Sequence, residues 1–121
     1  MNKDVQNLRD RTRQFAHRII RLYMALPKSD PAHVLGRQIL RSGTSVGAHY
    51  REACRAKSNA DFVCKMEGAL QELDETAYWL ELLADTNIVK PEKLKPLMQE
   101  ADELTAIMVT MTKRVKQKAT A

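Results

Sequence analysis

The sequence predicts an all-α fold, an antiparallel up-down four-helix bundle that forms one domain over residues 1–121. Apolar residues recur at alternating steps of three and four along four segments, which is the spacing of one buried helix face. Short stretches rich in Pro, Ser, Asn and Asp separate these segments, as is typical of connections between neighbouring helices. No segment shows the strict alternation of a β-strand. We therefore expect helices over residues 4–26, 31–57, 59–86 and 91–117.

The first two helices are separated by the stretch "LPKSDPAH". The first helix follows Asp4. The second is expected to begin with Asp30 as its N-cap and Pro31 at its first position, where an N–H is not needed. The expected core positions of the first helix are Val5, Leu8, Thr12, Phe15, Ile19, Leu22 and Leu26. Those of the second are Leu35, Ile39, Ser42, Val46, either His49 or Tyr50, and Ala53.

The third helix is expected to begin after Ser58, with Ser58 as its N-cap and Asp61 as the acidic partner of a capping box. The fourth begins near Pro91, after "DTNIVKPE". The expected core positions of the third helix are Phe62, Met66, Ala69, Leu73, Thr76, Leu80 and Leu83. Those of the fourth are Leu94, Leu97, Ala101, Leu104, Met108, Met111 and Val115.

A second ladder of residues on the third helix predicts a homo-oligomer. The segment "AYWLELL" is apolar nearly all round, and a helix of this kind is buried on all sides. A four-helix bundle can bury one of its helices completely only if a neighbouring subunit covers it. Alternatively, the two aromatic residues cap the bundle end, where amphipathic rings often lie. The expected subunit-interface residues are Cys64, Gly68, Glu75, Tyr78, Trp79 and Leu82.

Charge is distributed unevenly along the chain, whose formal net charge is +5. Residues 1–57 carry +8, residues 58–89 carry −6 and residues 90–121 carry +3. An acidic segment between two basic ones favours neutralising contacts within the bundle or between subunits. The basic surplus favours an anionic partner, RNA or DNA.

The stretch "RSGTSVGAHYREAC" places glycines inside the second helix, at a cost of roughly 1 kcal/mol each relative to alanine. If the helix continues, four arginines fall within an arc of about 80° opposite its core positions. This stripe can be a solvated face, can pair with the acidic third helix of a neighbouring subunit, or can follow a phosphate backbone admitted by the small residues. The candidate nucleic-acid-binding residues are Arg37, Arg41, Arg51 and Arg55, helped by Lys113, Arg114, Lys116 and Lys118.

Catalytic and metal-binding patterns are absent from the sequence. "GTSVG" lacks the GK[ST] of a phosphate-binding loop, and no Glu-x-x-His pair of the kind that holds two metals in a bundle is present. Cys54 and Cys64 fit no metal spacing, and we expect them to be free thiols. The sequence therefore predicts no enzyme, no cofactor and no metal.

Two further features of the sequence predict where in the cell the protein is found. No run of about 18 apolar residues is present, so we expect no membrane span. The N-terminal stretch "MNKDVQNLRDRTRQ" lacks the apolar core of a secretory signal. We expect a cytoplasmic protein.

Residues 35–83 resemble a bacterial family of small four-helix bundles, the proteins encoded in intervening sequences of 23S rRNA genes. The family pattern R-S-x-x-S-x-x-A-N-x-x-E-A corresponds to Arg41–Ala53, with His49 in place of the Asn. Its acidic pattern E-x-x-E-T-x-x-W-L corresponds to Glu72–Leu80. The resemblance implies a homopentamer, and a role for the small-residue segment in packing between helices or subunits. Related retroelement accessory proteins are similar bundles that bind nucleic acid and a reverse transcriptase through basic surfaces.

These observations predict a non-enzymatic, oligomeric helical bundle that binds structured nucleic acid through a basic surface. The alternative is a protein-interaction scaffold, in which the arginines contact other subunits or a protein partner. The two differ in what a change at Arg41 or Arg51 alters: nucleic-acid affinity in the first case, assembly size in the second.

Overall fold

The computed structural model describes residues 3–120 of the chain, and these form four α-helices joined by short connections. The helices are α1 (Lys3–Ala25), α2 (Asp30–Cys54), α3 (Asn59–Asp85) and α4 (Pro91–Thr120). The prediction of an all-α four-helix fold is confirmed. The second helix ends at Cys54 rather than near residue 57, and the fourth continues to Thr120. Within residues 3–120 no helix is both long enough and apolar enough to cross a membrane.

The start of α2 differs from the prediction by one residue. Ser29, not Asp30, is the N-cap: its backbone is extended, and its hydroxyl accepts a hydrogen bond from the N–H of Ala32 at 3.4 Å. Asp30 and Pro31 therefore belong to the first turn, where a carboxylate interacts favourably with the helix dipole. The prediction that Ser58 is the N-cap of α3 is confirmed, since its hydroxyl accepts from the N–H of Asp61 at 3.0 Å. The reciprocal bond of a capping box, from the N–H of Ser58 to the Asp61 carboxylate, is not among the hydrogen bonds of residues 3–120.

The α3–α4 connection is set by a left-handed residue, Asn87, whose φ is 57°. The N–H of Ile88 donates to the carbonyl of Leu83, and the N–H of Asn87 donates to the carbonyl of Ala84, both at 3.1 Å. This pair of bonds is a Schellman motif, which closes the end of α3. Asparagine tolerates the left-handed conformation better than other non-glycine residues.

The core is formed by the predicted apolar faces of all four helices. At the position where α2 offered two candidates, Tyr50 is the buried residue and His49 is half-buried. The fully buried side chains that fill the centre include Phe15, Ile19, Ile39, Leu73, Leu80 and Leu104. Ser42 and Thr76 form a buried polar pair among them, with their hydroxyl oxygens 2.8 Å apart.

The contacts of α2 with α1 and with α3 run in opposite residue order. The hydroxyl of Tyr50 donates to the carbonyl of Val5 at 3.1 Å, while Gly43 lies against Ile19 and Gly36 against Leu26. Between the second and third helices, His49 lies against Gly68 and Ser42 contacts Thr76. Within residues 3–120, no Cα atom of α1 lies within 8 Å of a Cα atom of α3, and the same is true of α2 and α4. Each of these two pairs is therefore diagonal in the fold.

The glycines of α2 bring α1 close. A Cβ atom added at Gly43 would lie 2.6 Å from Cγ1 of Ile19, and one added at Gly47 would lie 3.3 Å from Oγ1 of Thr12. The small-residue segment is therefore a packing device between helices. Gly43 itself is buried and offers no room for a phosphate backbone.

Candidate nucleic-acid interface

Three segments meet at one end of the molecule, namely residues 3–10, 49–68 and 105–118. They are joined there by the Tyr50–Val5 hydrogen bond and by an ion pair of 2.9 Å between Lys116 and Glu67. A cavity lined by residues from all four helices, among them Phe62 and Val115, opens at the same place. We call this part of the molecule the basic end.

The basic end carries the whole formal net charge of the protein. It contains ten Lys and Arg residues against five Asp and Glu residues, while the rest of the chain contains ten of each. Its ten cationic residues are Lys3, Arg9, Arg51, Arg55, Lys57, Lys65, Lys113, Arg114, Lys116 and Lys118. The fold thus concentrates the positive net charge at one end of the molecule.

Six of the eight candidate nucleic-acid-binding residues lie at the basic end: Arg51, Arg55, Lys113, Arg114, Lys116 and Lys118. Of these, Lys116 pairs with Glu67. Arg37 and Arg41 are not brought to this end, since a helix rises about 1.5 Å per residue and Arg41 therefore lies about 15 Å along α2 from Arg51. The structure thus divides the predicted stripe into two halves.

Sequence reasoning missed four members of the basic end. Lys3 and Arg9 stand at the beginning of α1, and Lys57 and Lys65 flank the start of α3. They join the others because the beginning of α1 contacts the end of α2 and the beginning of α3 contacts the end of α4. Comparing charge between the helix ends that a short connection joins, rather than along one helix face, would have found them.

Arg41 is occupied within its own chain. Its Nη1 lies 3.4 Å from Oε2 of Glu72, and its Nη2 donates to Oε1 of Glu75. The same Glu75 oxygen accepts from Nε1 of Trp79 at 3.3 Å. The sequence offered the acidic third helix of a neighbouring subunit as one partner for the stripe; here α3 of the same chain supplies that partner.

The contact with Arg41 also changes the titration of Glu75. The hydrogen bond from Arg41 is the main reason that the pKa of the Glu75 carboxyl lies below its usual value of 4.5, and the bond from Trp79 acts in the same direction. The hydrogen bond between Arg41 and Glu75 also raises the pKa of the Arg41 guanidinium. Glu75 is therefore ionised in the folded protein at neutral pH, and its charge supports the α2–α3 contact.

Replacing Arg41 with glutamine is expected to lower the free energy of unfolding at pH 7 by less than about 1 kcal/mol, because the pair is exposed and screened by solvent. A lowered folded-state pKa stabilises the fold above the unfolded value of 4.5 and ceases to do so as the pH falls through the folded value. The difference between R41Q and the wild type should therefore shrink below pH 4.5. Urea unfolding at a series of pH values measures it.

Arg37 provides the matched control, since it is exposed on the same helix and makes no ion pair within residues 3–120. R37Q should leave the pH dependence of stability unchanged. If the difference in free energy of unfolding between R41Q and the wild type stays constant down to pH 3, the role given to the Arg41–Glu75 pair is wrong.

The expected subunit-interface residues divide into two groups. Gly68 and Glu75 face α2 of the same chain, where they contact His49 and Arg41. The others remain at least partly accessible: Cys64 and Tyr78 are exposed, and Trp79 and Leu82 are half-buried. The rings of Tyr78 and Trp79 lie 5.1 Å apart. Their place in a subunit interface stays a prediction.

The two cysteines are free thiols, Cys54 half-buried and Cys64 exposed. Within residues 3–120, no three His, Cys, Asp or Glu side chains are grouped so that they could hold a metal ion. Burial is the main reason that the pKa of the Tyr50 hydroxyl is raised, and a contact with Cys54 adds to it. Tyr50 therefore serves as a neutral hydrogen-bond donor to α1.

The fold and the charge pattern define a class of protein, a small all-α bundle with one cationic end. The chain belongs to the family described as 23S rRNA-intervening sequence protein, whose family model matches residues 6–110. It is similar to a crystal structure from Bacteroides thetaiotaomicron, described as a protein with unknown function from the S23 ribosomal protein family. The two are 39% identical, with a TM-score of 0.85, over 90% of this chain and 97% of that one. No protein with a curated description matches. Neither description is that of an enzyme.

Proposed function

We propose that this protein is a non-enzymatic, cytoplasmic, homo-oligomeric bundle that binds structured RNA or DNA through its basic end. The observation that carries the proposal is the confinement of the net charge of +5 to that end, with the remainder of the chain neutral. The helix contacts support an antiparallel up-down arrangement. The resemblance of the central two helices implies five subunits.

Phosphate groups are the partner that this surface fits. Arg51, Arg55, Lys113, Arg114 and Lys118 are exposed, and no ion pair occupies them within residues 3–120. Arginine can bind two phosphate oxygens through its planar fork. Exposed aromatic residues on which unpaired bases could stack are missing from the described part of this end, since Phe62 is half-buried and Tyr50 is buried. The surface therefore favours contacts with the backbone of a structured nucleic acid over reading single-stranded bases.

Neutralising two arginines of the basic end is expected to weaken binding of a labelled RNA hairpin at least tenfold near 0.1 M salt. Each lost phosphate contact reduces the slope of log affinity against log salt by about 0.9 for a duplex. R51Q/R55Q should therefore lower the magnitude of that slope by about two. Fluorescence anisotropy over a series of salt concentrations measures both quantities.

The matched control removes the same charge from the opposite end. Lys93 and Lys95 are exposed near the start of α4, and K93Q/K95Q should change affinity and slope far less than R51Q/R55Q. Equal effects of the two pairs would mean that the basic end is not the binding surface. A wild-type protein that ignores nucleic acid at every salt concentration would favour the protein-scaffold alternative.

A further inference from the structure

The outward faces of α1 and α3 have similar lengths and opposite charges. On α1, Arg13, His17, Ile20, Arg21 and Met24 fall within about 100° of arc directly opposite the buried face. All five are exposed. This set is the α1 face.

On α3, the residues opposite the core are acidic. Asp74, Tyr78, Glu81 and Asp85 are exposed and lie within a similar arc. This set is the α3 face. Both faces span about 16 Å of helix, from mid-height toward the end of the bundle opposite the basic end.

The charges on these faces have no partners within the described chain. Arg13, Arg21, Asp74, Glu81 and Asp85 take part in none of the ion pairs formed by residues 3–120. Like charges four residues apart on one helix destabilise it slightly. Glu81 and Asp85 form such a pair. An oppositely charged face placed against each row would remove this repulsion.

The exposed apolar residues are concentrated on the same two faces. The large hydrophobic side chains that are exposed in the described chain are Ile20, Met24, Val34 and Tyr78, and three of these four belong to the α1 or α3 face. Met24 is 77% exposed and Tyr78 is 53% exposed. Each face therefore combines apolar contact area with charges of one sign, as the two sides of a complementary interface do.

The two faces cannot meet within one molecule, since α1 and α3 are diagonal and their outward faces point away from each other. We propose that the α1 face of one copy binds the α3 face of the next, in a repeated head-to-tail contact. This inference rests on the proposed homo-oligomeric state and names the surfaces that produce it. Such a heterologous contact uses two different patches of each subunit and closes into a ring when the rotation between copies permits.

The arrangement would also place the basic ends side by side. In an up-down bundle α1 and α3 run in the same direction, so packing the two faces at matching heights aligns neighbouring copies in parallel. All basic ends then lie on one side of the assembly. Several linked binding surfaces raise the overall affinity for a long nucleic acid without any new contact in the single subunit.

Charge reversal tests the proposal through the mass of the assembly, measured by light scattering. R13E/R21E makes the α1 face acidic, and D74K/E81K makes the α3 face basic. Each variant should fall toward the 13.8 kDa of a single chain, because like charges then face each other. The chain that carries all four changes should recover the wild-type mass, since its faces are again complementary.

Helix content and melting by circular dichroism verify that each variant is folded, and R13Q/R21Q replaces R13E/R21E if the reversal prevents folding. K93E/K95E, on neither face, should keep the wild-type mass. If R13E/R21E keeps the wild-type mass, or if the fourfold variant does not regain it, the proposed contact between the α1 and α3 faces is wrong. The proposal that the protein is a homo-oligomer would not be affected by either result. A monomeric wild type would overturn both.

Hairpin RNA binding, followed separately, tests the basic end: an R13E/R21E chain that keeps its mass but loses RNA affinity would assign the α1 face to nucleic acid.

Discussion

Valine in place of Gly43 is expected to lower the free energy of unfolding by about 2–3 kcal/mol, the upper part of the range found when a packed core is overfilled. A Cβ at this position would lie 2.6, 2.9 and 3.0 Å from Cγ1, Cγ2 and Cδ1 of Ile19. Ile19 is fully buried, and its branched side chain has few alternative rotamers in a helix. The helices must therefore separate, and this cost exceeds the gain in helix propensity over glycine.

Three further variants separate packing from helix propensity. G47A adds a methyl group on the same side of α2, where the nearest atom is Oγ1 of Thr12 at 3.3 Å, and it should cost much less than G43V. I19A removes the atoms that the new side chain would strike, so I19A/G43V should be less destabilised than the sum of the two single changes. Urea unfolding followed by circular dichroism measures all four. Strict additivity would mean that Ile19 is not what makes glycine necessary at position 43.

Truncating Phe15 to alanine is expected to destabilise the protein by about 4 kcal/mol, within the range for removing a buried aromatic side chain. Phe15 is fully buried and occupies the middle of α1. Of the helix pairs that touch, α1 and α4 make the least extensive contact, so α1 depends on its own apolar anchors and on α2. The loss of Phe15 leaves a cavity that a helix packed closely against the glycines of α2 cannot fill by shifting.

An exposed apolar residue provides the comparison for Phe15. Val34 is 58% exposed on α2, and V34A should change stability by less than about 0.5 kcal/mol, as is usual for surface substitutions. Urea unfolding of the two variants at one protein concentration measures the difference. A cost of F15A near that of V34A would mean that α1 is not anchored through Phe15.

Much of the fold follows from local pattern. The three-and-four spacing of apolar residues identified the buried face of each helix, and Ser58 marked the start of α3. The choice between His49 and Tyr50 could not be made in this way, since both stand at the edge of the same helical stripe. Tyr50 is buried because its ring fills space beside α1 and its hydroxyl reaches the carbonyl of Val5, an atom 45 positions earlier in the chain.

The candidate site was less accessible to sequence reasoning. The arginine stripe was a correct description of one helix face, yet Arg41 is engaged by Glu75 and Glu72. An ion pair between two helices depends on which turn of one lies beside which turn of the other. Helical periodicity fixes the direction in which a side chain points but leaves this offset along the helix axis open.

The sequence by itself determined the number of helices, their approximate bounds, the buried face of each and the surplus of positive charge. These are properties of short windows, in which repeating backbone geometry maps spacing directly onto position. Only the tertiary structure decided which charges share a surface, which are neutralised and why α2 contains glycine at position 43. Those features depend on atoms from different helices coming within a few ångströms, and packing of the whole core sets that distance.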